Sequence, residues 1–234
     1  MNKIYLLIST IKYLKFSQIF FRIYYLIRLK IRKIVNFKYI ADVKNVECNQ
    51  ITLQKGVPHP AIDFRLDIFK FLNIKHSFSN GIDWNYNAHG KLWTYNLNYF
   101  DFLNSVDRFE DGIRLIQNYL ISDSNRKIGL ESYPTSLRGV NWIKFLSYHG
   151  IDNHYINKDL FRQYDILLDN LEYHLLGNHI LENGFSLLFG GYYFREDKFY
   201  NKGMDIVIKE LDEQILSDGA HFELSPMYHQ IILC

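Results

Sequence analysis

Three stretches of this sequence hold polar, ionisable and aromatic groups close enough together to do chemistry. The densest runs from Gln214 through Asp218, Gly219, His221, Glu223, Ser225, Pro226, Tyr228 and His229. Ser225-Pro226 reads as an N-cap followed by Pro at the first helical position, which puts Tyr228 and His229 in the first turn. Bare backbone N–H groups in such a turn favour a bound anion. A second stretch, Glu172-Tyr-His-Leu-Leu-Gly177-Asn178-His179-Ile-Leu-Glu-Asn183, places Asn178 in a break between helices, either as a cap or as a carboxamide directed into a cleft beside His179. The third, Tyr133-Pro-Thr-Ser-Leu-Arg138-Gly-Val-Asn-Trp142, offers Thr135 or Ser136 as a cap and sets Arg138 and Trp142 on one helical face. Taken alone, that third stretch reads as an ordinary helix start with a surface Arg.

Other chemistries fit less well. His221, Glu223 and His229 lack the short ligand pair of a zinc site, so no metal and no cofactor are expected. Paired carboxylates for glycoside hydrolysis reduce to Asp218 and Glu223, both with plausible turn or capping roles. No Gly-rich phosphate loop or nucleic-acid motif is present, and no nucleic-acid partner is expected.

Helices must position these groups. The apolar periodicity predicts helices near 100–122, 136–149, 156–176, 180–192, 200–216 and 226–233, separated by short polar breaks. Residues 42–62 are less regular, Gly56-Val-Pro-His-Pro marks a loop, and no alternating run is long enough to argue for a sheet. Helical hairpins with short connections indicate an all-α architecture.

Composition is that of an ordinary globular chain, with 48% hydrophobic and 22% charged residues among 234. The 18 Tyr and 18 Phe serve core filling first and a sugar-stacking cleft second. Cys48 and Cys234 form no framework. Charge is unevenly spread: residues 1–41 hold nine of the 27 bases and none of the 25 acids, leaving 18 bases against 25 acids, or −7, in the remainder. Lys12, Lys15 and Arg22 interrupt the apolar run too early for a membrane span, and no cleavage site marks a signal peptide. Residues 1–41 therefore read as a basic amphipathic helix, lying on an anionic membrane surface or against the domain, and weak binding to anionic vesicles is expected. The expected location is cytoplasmic or peripheral on the inner membrane face, with the periplasm as the alternative.

Trp93-Thr-Tyr-Asn-Leu-Asn-Tyr-Phe100, Tyr133-Pro-Thr-Ser-Leu-Arg138, Leu176-Gly-Asn-His179 and Asp218-Gly-Ala-His-Phe-Glu-Leu-Ser-Pro-Met-Tyr-His229 resemble, in that order, the signature segments of heparinase II/III-type polysaccharide lyases. Tyr13-Leu-Lys-Phe-Ser-Gln-Ile-Phe-Phe-Arg22 resembles the opening of the branch associated with bacterial surface-polysaccharide loci. The resemblance implies an incomplete (α/α) toroid of antiparallel helical hairpins over 42–234, preceded by the basic helix of 1–41. It implies β-elimination on an anionic, uronate-containing polysaccharide.

By resemblance, Asn178 and Tyr228 match the catalytic positions. A neutral donor such as Asn178 stabilises the enolate-like transition state, and Tyr228 removes the C5 proton or protonates the departing O4. His179, His229, Glu223, Arg138, Trp142 and His221 are supporting or substrate-binding candidates. The family also uses a later histidine and a C-terminal β-sandwich, so a C-terminally truncated chain with little turnover alone is expected, its cleft completed by a second chain. The alternatives are an inactive remnant that only binds glycan or a membrane surface, and a toroidal glycoside hydrolase.

Overall fold

The computed structural model describes residues 9, 12–39, 48–52, 67–104, 109–122 and 126–233, without the side chains of residues 228 and 231–233. In chain order these form α1 (Phe16–Ile34), β1 (Ile68–Phe71), β2 (Ile74–Ser77), α2 (Lys91–Tyr99), α3 (Phe109–Ile121), α4 (Ser132–Tyr148), α5 (His154–Asp169), α6 (Asn178–Phe194), α7 (Asp197–Gln214) and α8 (Pro226–Leu233). Single 3-10 turns cover Asp101–Asn104 and Ile128–Leu130. The architecture is all-α, decorated by one small antiparallel hairpin among the described residues. The loop expected over 42–62 and the first apolar positions, Ile4 to Ile11, lie largely outside the described residues.

The hairpin corrects the expectation of no sheet. Ile68 pairs with Ser77 and Phe71 with Ile74. Leu72 and Asn73 turn the chain with φ of 52° and 62°, the mirror-image geometry that suits strand twist. Leu in the first turn position hides the signal that Asn-Gly or Asp-Gly would have given. Phe69 and Phe71 are buried by this hairpin, against Phe102 at 5.5 Å and Trp93 at 5.2 Å between ring centroids.

The helices form two layers. In one, α4 lies between α2 and α6, and all three run in the same direction. Tyr99 and Asn141 join α2 to α4, while Ser136 of α4 meets both Asn183 and Ser186 of α6. The other layer runs antiparallel to the first. Phe145 and Trp142 of α4 pack against Gly112 and Tyr119 of α3, and Arg138 meets Gln163 of α5. Alternating hairpins of this kind make a toroid-like arrangement.

At its centre sits a buried cation. Arg138 has no solvent exposure. Its guanidinium donates to Gln163 Oε1 at 2.7 Å, the Asn98 carbonyl at 3.1 Å and Thr135 Oγ1 at 3.3 Å, and stacks over Tyr119 at 4.7 Å. Burying a charge is tolerable only with such partners. Arg138 is therefore a bracket between helices and not the surface or cleft group expected from sequence. Trp142, also without exposure, fills the core beside Phe100 and Tyr119 and is likewise removed from any substrate face.

Two expected boundaries fall elsewhere. The stretch expected as one helix over 100–122 opens with the 3-10 turn at Asp101–Asn104 and holds α3 from Phe109; α2 has already ended at Tyr99, where Arg138 and Asn141 take the Asn98 and Tyr99 carbonyls. Those acceptors would otherwise remain open at the end of α2. The helix expected over 156–176 stops at Asp169, and downstream the Glu172 N–H is held by Asn183 Oδ1 at 2.9 Å. Thr135 and Ser136 are internal to α4 and buried, since the helix starts earlier, at Ser132.

Helices α6 and α7 touch backbone to backbone. A Cβ on Gly203 would stand 2.8 Å from the Leu188 nitrogen, and one on Gly191 would stand 2.6 Å from the Tyr200 Cα. Glycine costs helix propensity here but permits the approach. Gly191→Ala is expected to destabilise the chain by about 1–3 kcal/mol, as overpacking does, measurable as a lowered urea midpoint. An unchanged midpoint would show that the two helices separate freely.

Candidate functional site

The start of α6 organises the site. Leu176 and Gly177 precede it with φ of 64° and 60°, and Gly177 occupies the N-cap position without a side chain to close it. Asn178, the first helical residue, is partly exposed, and its carboxamide makes no hydrogen bond among the described residues. It is a neutral donor left available. Glu182, one turn later, lies on the same face.

Behind Asn178 a hydrogen-bonded chain fixes the helix start. Asn183 Nδ2 donates to Ser136 Oγ at 3.0 Å and to Glu172 Oε2 at 3.1 Å. The other Glu172 oxygen faces His179 Nδ1 at 3.3 Å. The His179 ring packs on Tyr133, 4.6 Å between centroids. Tyr133 continues to Tyr99 at 5.9 Å and on to Tyr95 at 6.2 Å. Tyr95 donates its hydroxyl to Glu131, which also meets Lys91 at 2.7 Å.

A row of rings thus crosses α2, α4 and α6 beside the Asn178 carboxamide. Burial, the hydrogen bond to Glu131 and that carboxylate's charge raise the Tyr95 hydroxyl above the ordinary phenol range. Burial, reinforced by Tyr133, does the same to Tyr99. Neither serves as a base near neutrality. Glu182 differs: burial first, then the charge of Asp101, pushes its carboxyl up to about 7, with Lys144 and His179 pulling the other way.

The C-terminal stretch approaches this site through a tight loop. Asp218 Oδ1 accepts from Ala220 N at 3.0 Å, Gly219 takes φ of 86°, and Ile215 bridges His221. The loop then brings Glu223 Oε1 to 3.9 Å from the position of a Cβ on Gly177. Glu223 therefore stands beside the Asn178 helix start, 45 residues away in sequence. His229 lines an open depression of about 520 Å³ with Asp218, Ser225 and Pro226.

His221 is corrected. It is 1% exposed, its Nε2 meets Gln214 Oε1 at 3.2 Å, and its Nδ1 accepts from Glu223 N at 3.4 Å. Both ring nitrogens are occupied in closing the loop, so its role is to hold Glu223. Tyr228 lies in the first turn of α8, as its Ser225-Pro226 start anticipated; its side chain lies outside the described set.

The sequence reading brought forward Asn178, His179, Glu223 and His229 as site candidates; it left out Tyr95, Tyr99 and Glu131, and it held Glu172 and Glu182 within its second polar stretch without giving them a role. Tyr95 and Tyr99 are four residues apart, so their shared face was readable. The roles of Glu172 and Glu182 come from tertiary neighbours. A second groove, about 580 Å³, opens between α1 and the start of α4 and is lined in part by Arg22, Glu131, Glu172 and His174.

Residues 150–234, which include the α6 start and the approaching loop, match the family described as Heparinase II/III N-terminus. This part of the chain is similar to the heparinase II/III type. It is also similar to a heparin-sulfate lyase of Bacteroides stercoris, 36% identical over 61 residues, covering 24% of this chain and 9% of that protein. No solved structure matches the chain. The relationship of this heparinase-type region is thus to polysaccharide lyases, through a small part of the relative's length. No group of three or more His, Cys, Asp or Glu side chains is placed to hold a metal among the described residues.

The raised Glu182 carboxyl gives a sign to pH dependence. The folded state binds its proton more tightly than the unfolded state, so its contribution is full below pH ~4.5 and is lost as pH rises through about 7. Glu182→Gln is expected to remove that loss, making the variant more stable than the parent at alkaline pH and similar to it in acid. Urea unfolding on both sides of neutrality measures this; parallel pH profiles would contradict the assignment.

Proposed function

We propose that this chain carries part of the catalytic face of a polysaccharide lyase that cleaves uronate-containing polymers by β-elimination. The observation that carries the reading is the Asn178 carboxamide at the open start of α6, without a hydrogen bond among the described residues and inside the heparinase-type region. Proton abstraction beside a carboxylate builds further negative charge onto an anion. A fixed neutral donor stabilises that enolate-like charge without an added proton transfer. Asn178 fills this role. The Glu172–Asn183–Ser136 chain holds the helix that presents it, and positioned geometry is itself a large part of such catalysis. Tyr228 is the proton-transfer group, acting on C5 or on the departing O4. The tyrosine row and His179 offer ring faces and edges to the sugars.

A hydrolytic reading has one observation in its favour: the Glu182 carboxyl, up to about 7, beside Asp101. Paired carboxylates with separated acidities are what glycoside hydrolysis uses. The products distinguish the two. Elimination leaves a C4–C5 double bond that absorbs in the near ultraviolet; hydrolysis does not.

The test supplies uronate polymers to the 234-residue chain and to a form extended with the C-terminal region of a related lyase. Release of unsaturated uronate is expected from the extended form, falling about 10²- to 10⁴-fold with Tyr228→Phe and by about 10²- to 10³-fold with Asn178→Ala. Turnover indifferent to both substitutions overturns the assignment, and saturated products abolished by Glu182→Gln would establish the hydrolase.

A further inference from the structure

Helix α1 is turned the opposite way from an ordinary surface helix. Toward the body it directs polar groups: Arg28 and Arg32 both engage Asp169, Gln18 Nε2 donates to the Leu175 carbonyl at 2.9 Å, and Arg22 Nε to the His174 carbonyl at 3.3 Å. Phe21, stacked on Tyr173 at 4.7 Å, is an apolar group that joins them. Away from the body it presents Phe16, Phe20, Ile23, Ile27, Ile31 and Ile34, each between 52% and 82% exposed. These positions recur every three or four residues, so they form one continuous stripe about 28 Å long. A soluble helix normally buries such a stripe.

The charges indicate what covers it. The arginines are spent on the body, where planar guanidinium groups match carboxylate and carbonyl acceptors. Lys15 is tied to Glu213 on the body, but Lys30 stands at the edge of the stripe, Lys33 farther round the helix, and Lys12 and Lys38 beyond its ends, all exposed. Residues 1–41 contain no acid. A second copy of this helix would set Lys30 near Lys30 with no acidic side chain to offset it, against the usual pattern of paired helices. An anionic lipid surface answers both features: it accepts the apolar stripe, and lysine stems reach its headgroups. No helix among the described residues is long and apolar enough to cross a membrane, so the helix lies along the surface.

We propose that α1 is an interfacial anchor that seats the domain on an anionic lipid bilayer through its outward apolar stripe. Its inner face forms one wall of the groove beside Glu131 and Glu172, so the bound orientation holds that groove at the membrane surface.

The test is co-sedimentation of the full chain with vesicles of phosphatidylcholine, alone or mixed with phosphatidylglycerol, a readout independent of any sugar chemistry. Partitioning is expected to be at least about tenfold greater onto the anionic vesicles and to weaken with salt. Ile23→Ser with Ile27→Ser should abolish it, and Lys30→Glu with Lys33→Glu should lower it about tenfold or more. All four positions are exposed, and circular dichroism checks that the variants remain folded. Equal, salt-insensitive binding to both vesicles overturns the proposal. So does binding that survives the double Ser substitution. Failure of the folded chain to bind either vesicle also overturns it, and concentration-dependent self-association without lipid would then assign the stripe to a second copy.

Discussion

A guanidinium with no access to water holds this structure together. Arg138 must find acceptors in the interior, and it finds them on three helices: the Asn98 carbonyl of α2, Thr135 of α4 itself and Gln163 of α5. A fourth helix, α3, contributes the Tyr119 ring. Withdrawing any one acceptor leaves a buried charge short of a partner, a far larger penalty than losing a surface contact. The position of α4 is therefore set by polar geometry as much as by its apolar side chains. Burial lowers the proton affinity of Arg138 from its ordinary value, and the neighbouring phenol of Tyr119 works against that.

From this bracket the candidate site follows in short steps. Fixing α4 fixes Tyr133 and Ser136. Ser136 receives Asn183, Asn183 ties down Glu172, and Glu172 faces His179. Asn178 stands at the end of this sequence of constraints, its own carboxamide uncommitted among the described residues. The tight α6–α7 seam adds a second constraint, because helices in backbone contact cannot slide without collision. A rigid frame presenting a polar group at a helix start is the arrangement expected where geometry must be kept for a ligand.

The sequence was legible where local rules decide the outcome. Short polar breaks marked the helical hairpins, and Ser225-Pro226 marked the start of α8. It was illegible where distant partners decide. Arg138 and Trp142 share a helical face, which periodicity detects, but the direction of that face depends on α2, α3 and α5. His221 looked like a site residue because histidine beside Glu and Tyr suggests chemistry; its two nitrogens are consumed in closing a loop. The β1–β2 turn escaped notice because Leu72 carries a positive φ without the usual small residue. Asn178 was legible because Gly177 marks a break beside it, whereas the weakened acidity of Glu182 comes from its burial first and then from Asp101, 81 positions away in sequence.

The central claim is that the start of α6, with the tyrosine row beside it, receives an acidic sugar. Its most direct test is amide NMR of the labelled chain titrated with a uronate tetrasaccharide and, separately, with a neutral tetrasaccharide. The account requires saturable shifts for the uronate at Asn178 (side-chain and backbone amides), His179 and Tyr133, weaker for the neutral sugar. Shifts confined to other helices, or equal responses to both sugars, would contradict it.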